Sequence, residues 1–135
     1  MDTTTLTTAV CALLDAAGVG EWRPAGPAYT AAETGIFYGP LGALPDRAIG
    51  VTCYTATDDI VTGLATRRVQ VRCRGARNVP NGADLIADAV FAAIHGLYRT
   101  AGFARITREF PAPLGADENS RQERTDNYLL VLDNE

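Results

Sequence analysis

The longest apolar pattern occupies residues 84–101, and its period is that of a helix. At about 100° per residue, Asp84, Asp88, His95 and Arg99 fall within a wedge of roughly 60°. Ile86, Val90, Phe91, Ile94, Leu97 and Tyr98 cover a broad opposite arc. Between them lies a side of small residues, Ala89, Ala92, Ala93 and Gly96, with Leu85 its one large member. A solvated surface helix needs a narrower apolar stripe. This helix is therefore expected to pack its large face on a sheet and to leave its small face for the close approach of a second backbone. Asn81 is placed as its N-cap and Asp84 in the first turn, where a carboxylate meets free N–H groups. Gly102 is placed as the stop.

A first helix is predicted over residues 3–17, from the spacing of Leu6, Val10, Leu13, Leu14 and Ala17. Asp2 or Thr3 caps it, and Gly18 follows it. Residues 21–33, with Pro24, Gly26 and Pro27, form an irregular segment held by the rings of Trp22 and Tyr29. A short strand is then predicted over 34–38, ended by Gly39-Pro40, and period-two alternation predicts strands over 47–54 and 66–75. In the last of these, Val69, Val71 and Cys73 face one way, and Arg68, Gln70, Arg72 and Arg74 the other. A fourth strand covers 103–110 and is ended by Pro111, Pro113 and Gly115. A fifth covers 128–132, beginning at Tyr128. It has no polar residue on either face, so it lies centrally in the sheet or beneath another subunit. Two polar stretches are expected as loops longer than a hairpin needs. Residues 55–65 contain Asp58 and Asp59. Residues 116–126 contain Asp117, Glu118, Asn119, Arg121, Glu123, Arg124 and Asp126. The expected fold is a single α+β domain over 1–135. It has a mainly antiparallel sheet of about five strands flanked by two helices, in the order α-β-β-β-α-β-β.

Composition narrows the function. The 135 residues suit one domain, with 47% hydrophobic and 21% charged residues. No run of about 18 apolar residues is present, so no membrane-spanning helix is expected. The N-terminus lacks the basic and apolar regions of a signal peptide, which predicts a cytosolic product. A net charge of −4 argues against a general nucleic-acid binder. All twelve basic residues are arginine, which suits bidentate pairing with carboxylates. Cys11, Cys53 and Cys73 sit at inward positions of their elements, as buried thiols. Their odd number and wide spacing suit neither a disulfide framework nor a metal site. Gly18-Val19-Gly20 is too short for a phosphate loop, so no cofactor is implied.

An enzymatic or ligand-binding reading centres on His95, the single histidine, with Asp88 two turns away on the same face as an acid–base pair. No nucleophile motif accompanies it. The arginine row is the stronger feature. Like charges at this spacing repel and call for water, carboxylates or phosphates. Pairing with acidic groups within the chain or across subunits is one expectation, and a solvated face is the other. A self-association scheme sets arginines of one copy against acids of residues 116–126 in the next. Such rim ion pairs fix register and specificity more than affinity.

Three stretches carry a resemblance: Val69-Gln-Val-Arg72-Cys-Arg74-Gly75, the run from Asp84 to Leu97, and the run from Pro113 to Tyr128. With the N-terminal helix, they make the chain resemble the minor capsid or tail terminator proteins of long-tailed bacteriophages, especially those of GC-rich hosts. The resemblance implies a small α+β domain whose copies form a ring, typically a hexamer, at the head-proximal end of the tail tube. Such a ring stops tube polymerisation and joins the head–tail connector, and DNA passes through its lumen without specific binding. The implied partners are sister copies, the tube protein and connector proteins. The implied location is the virion neck, after assembly in the bacterial cytoplasm. A head-side adaptor or stopper is the alternative within virion proteins. The resemblance also implies a glycine where Ser120 stands. Arg68, Arg72, Arg74, Asp58, Asp59, Asp117, Glu118, Asn119, Arg121, Glu123, Arg124 and Tyr128 are the expected subunit or tube contacts.

Overall fold

The computed structural model describes residues 1–133. Seven strands share one sheet, where the sequence predicts about five. In chain order the elements are α1 (Thr3–Ala16), β1 (Glu21–Trp22), β2 (Gly35–Tyr38), β3 (Ala48–Asp58), β4 (Ala65–Arg77), α2 (Gly82–Ile94), β5 (Tyr98–Thr100), β6 (Phe103–Ala116) and β7 (Arg121–Leu132). The spatial order is β1-β2-β3-β4-β7-β6-β5. The sheet is mixed: β1 and β2 are parallel to their neighbours, and the remaining pairs are antiparallel. It curls into a half-barrel. The expectation of a five-stranded, mainly antiparallel sheet is thus corrected. The two additional strands, β1 and β5, are two and three residues long, too short to show a period. β1 falls inside the segment expected to be irregular, and β5 inside the predicted helix.

Both helices lie on one face of the sheet. Leu6, Val10, Cys11 and Leu14 of α1 and Ile86, Val90 and Ile94 of α2 join Val51, Val69, Val71, Cys73, Ile106, Tyr128 and Leu130 in one core. The Asp2 carboxylate caps α1, accepting from the Thr5 amide at 2.7 Å. Asn81 occupies the start of α2, but its side chain makes no capping bond, contrary to expectation. The approach of β4 to α2 explains the glycines there. A Cβ on Gly75 would stand 2.4 Å from the Gly82 carbonyl carbon, so backbone passes against backbone.

α2 stops at Ile94, well before Gly102. His95 turns to extended backbone, and Gly96 has φ +83°, a left-handed conformation suited to glycine. The Gly96 amide then donates to the Ile106 carbonyl at 2.8 Å. Apolar Leu97 and Tyr98 continue the helical pattern in sequence only.

The 116–126 stretch is largely strand, and the 55–65 stretch is strand at both ends. Residues 55–58 pair with 65–68, which leaves a tight turn at 59–64 in place of the expected loop. β7 begins at Arg121 and pairs with both β4 and β6, so the charge-dense 116–126 stretch is mostly strand and the turn spans only Asp117–Ser120. Pro111 and Pro113 do not end β6. β5 pairs only with residues 103–105, and β6 bulges near 108–110 and 113–115. Beyond β5 it is an edge strand, where proline is tolerated. The apolar 128–132 run is explained by its central place in the sheet.

Candidate assembly surface

Arginine–carboxylate groups occur on both faces of the sheet. On the helix-covered face, Arg124 sits opposite Cys73, and Asp126 opposite Val71. The Arg124 guanidinium forks onto Asp126, Nε to Oδ1 at 2.8 Å and Nη2 to Oδ2 at 3.0 Å. Its Nη1 reaches both Asp84 and Asp88 of α2 at 3.1 Å. Asp126 is 1% exposed and also meets Arg108. Hydrogen bonding to Asp126 holds the Arg124 pKa above the ordinary arginine value. Burial raises that of Tyr128, with Asp126 adding to the effect. Tyr128 is fully buried and Arg124 nearly so, which leaves them little surface for the outside contacts expected of them. The sequence signal for this network is the Asp84–Asp88 spacing, one helical turn, opposite a lone inward arginine.

The proposed His95–Asp88 pair is not assembled. Asp88 faces Arg124, whereas His95 Nδ1 accepts the Arg108 amide at 3.0 Å and its ring stacks on Phe91. Arg108 closes the stack from the β6 side, 4.0 Å above the Phe91 ring. His95 is thus a brace between α2 and β6. Among the described residues no group of histidine, cysteine and acidic side chains is arranged to hold a metal. Cys11 and Cys73 are buried, and burial pushes the Cys11 thiol up to about 12. Cys53 is only half-buried, less inward than the alternation predicts, because a bulge follows it in β3.

Among the described residues no helix covers the opposite face, where only the β2–β3 connection lies over Gly50 and Arg74 and leaves the part around Arg68 and Arg72 open. Arg68 pairs there with Glu109 at 2.9 Å, and Arg72 with Glu123 at 2.6 Å. Arg74 is nearly buried and donates to the carbonyls of Gly42, Pro45 and Asp46, so it braces the β2–β3 connection. Arg121 binds Asp117, Asp46 and the Ala43 carbonyl, fastening the β6–β7 turn to the same connection. The Asp117 carboxylate also accepts the Asn119 and Arg121 amides. Although burial opposes it, these bonds hold the Asp117 pKa below the usual carboxylate value. Ser120 has φ +59°, the conformation that favours glycine. Asp58 pairs with Arg67, and Asp59 accepts the Val61 and Thr62 amides within its turn.

The structure therefore brings the predicted arginines and acids together inside one copy. Arg72 keeps 48% of its side chain exposed. It borders a shallow depression of about 480 Å³ lined by Tyr38, Pro40, Thr52 and Gln70. Tyr54 and Phe110 are also exposed. Polar charge pairs with interspersed rings on an uncovered sheet make a surface suited to protein contact.

The family model for bacteriophage tail terminator protein matches residues 13–134. The chain belongs to that family. It is a structural protein of the phage virion, placed in the tail and neck. A chain from the solved structure "Virion of native gene transfer agent (GTA) particle" has a similar fold, with a TM-score of 0.53 and 14% identity, covering 72% of this terminator and 77% of that chain. No curated protein matches it. Among the described residues no helix of the terminator is long and apolar enough to cross a membrane.

Proposed function

We propose that this terminator acts without catalysis, as a ring of identical copies, six in number, that caps the head-proximal end of the tail tube and joins it to the head–tail connector. The observation that carries the reading is the uncovered sheet face around Arg68 and Arg72, in a chain whose family forms part of the tail. Heterologous contacts close a ring when successive rotations permit. The open face supplies one side of such a contact. Because Arg72 already has Glu123, it sets register by adding a charge-assisted bond at the rim while apolar neighbours supply affinity. Glu118 and Asn119 in the β6–β7 turn, and Asp58 and Asp59 in the β3–β4 turn, reach toward a neighbour or the tube. The net charge of −4 disfavours adhesion of DNA phosphates to the wall of a lumen.

The test is native mass spectrometry of the wild-type chain and of Arg72→Glu, followed by a capping assay on purified tail tubes. The reading predicts closed wild-type oligomers that stop tube growth, and weaker oligomers from a folded variant. Unchanged oligomers from Arg72→Glu would remove the open face from the interface. Binding to capsid connectors without capping tubes would replace the terminator role with that of a head-side neck component.

A further inference from the structure

The β3–β4 hairpin ends in an apolar tip that no other described element of its own chain covers. Ile60 is 97% exposed and Val61 is 90% exposed, and Leu64 beside them is half-exposed. Apolar side chains so fully presented at a tight turn are costly in water unless something covers them. The turn itself is well built. Asp59 Oδ1 accepts the Val61 and Thr62 amides, and the Asp59 amide donates to the Leu64 carbonyl at 2.9 Å. The tip is therefore held in a defined shape, with Asp58 and Asp59 at its base.

An apolar groove of about 360 Å³ lies at the opposite end of the same two strands. Val19, Val79, Leu85, Ile86 and Ala89 line it, and Arg47 is its one charged lining residue. Here α2 leaves its small side open: Leu85, Ala89 and Ala92 are exposed, although Ile86 and Val90 are buried. Arg47 donates to the Ala32 carbonyl, and among the described residues no carboxylate pairs with it. The groove thus joins apolar walls to a cation, and the tip joins apolar side chains to two acids, of which Asp58 also pairs with Arg67 and Asp59 also caps its turn.

The tip cannot fill the groove of its own chain. β3 begins at Ala48, beside Arg47, and runs to Asp58, about 33 Å at roughly 3.3 Å per residue. Complementary patches at opposite ends of one rigid hairpin are the arrangement a heterologous, head-to-tail contact requires. We propose that Ile60 and Val61 of each copy dock in the groove beside α2 of a second copy, with Asp58 and Asp59 facing its Arg47. This proposal rests on the ring reading and supplies that ring with a contact separate from the open sheet face.

The experiment places a photo-crosslinking amino acid at position 61 of the full chain, and the adducts are mapped by mass spectrometry in oligomers formed by purified protein or recovered from particles. Adducts to residues 79–89 of a second copy are expected. Ile60→Asp combined with Val61→Asp, both at the solvent-exposed tip, leaves the circular dichroism of the monomer unchanged and weakens self-association about a hundredfold, as expected for two unburied aliphatic side chains. Ala89→Trp, which fills the groove from an exposed helix position, weakens it as well. Oligomers whose residue 61 crosslinks to the tube, or to another surface of the chain, would overturn the docking and leave the ring standing. A chain that is monomeric throughout would overturn both.

Discussion

Arg124 and Arg72 lie on adjacent strands, point to opposite faces of the sheet and hold similar partners, yet the consequences of their pairing differ. Arg124 is enclosed between α2 and the sheet, and its carboxylates come from a helix and from its own strand. Arg72 is half-exposed over an open part of the other face, and among the described residues it pairs with Glu123 alone. An ion pair is strong structural glue only where removing one partner strands the other away from water. In water it contributes about 0–1 kcal/mol and stays free to be shared. Around Arg124 and Asp126 the covered face thus carries a charge pair that fixes the fold, as Arg74 and Arg121 do beneath the β2–β3 connection, whereas the half-exposed pairs of Arg68 and Arg72 are left for partners.

The largest expected effect tests the covered face. Arg124→Met leaves Asp126 buried with only Arg108 beside it and should cost about 3–5 kcal/mol, read from urea unfolding. The double variant Arg124→Met/Asp126→Leu should recover most of that loss. If the single variant costs no more than a surface pair, the two faces do not differ as described. Gly75→Ala comes next, because its Cβ would collide with the Gly82 backbone. A loss of about 1–3 kcal/mol, seen as a lower thermal midpoint, is expected. Arg72→Glu should change monomer stability by no more than about 1 kcal/mol, while lowering the oligomer fraction in native mass spectra. Ser120→Gly relieves a left-handed serine and should raise stability by about 1 kcal/mol.

The smallest effect is on acidification. The Asp117 carboxyl has a lowered pKa in the folded state, so the stability it contributes is complete above its unfolded value, near 3.8. It is lost as the pH falls through the folded value. Asp117→Asn should therefore flatten the acid limb of a plot of thermal midpoint against pH below about pH 4, and leave the open-face turn less stable at neutral pH. An unchanged acid limb would detach Asp117 from the stability of that turn.

Much of this division was legible in the chain. The alternation through 66–75 placed Val69, Val71 and Cys73 inward and Arg68, Arg72 and Arg74 outward, as found. The wedge of Asp84 and Asp88 marked a polar side of α2, although not that it points at a buried arginine. What misled is physical. Arg124 and Asp126 face the core, so β7 shows no inward apolar period and reads as a loop. The β3–β4 arm projects beyond the helices, so residues 55–58 bury little on either face and lose their alternation. Pro111 and Pro113 signal a strand end but sit on an edge, where the missing N–H costs no ladder bond. Leu97 and Tyr98 extend the helical pattern past a glycine whose positive φ had already ended the helix.

The most direct measurement is an electron cryo-microscopy reconstruction of the neck of particles that contain this terminator. The account predicts a closed ring of its copies at the end of the tail tube, with the open face of β4 and β7 against protein density. Copies located outside the neck, or a ring in which Arg68 and Arg72 meet only solvent, would contradict it.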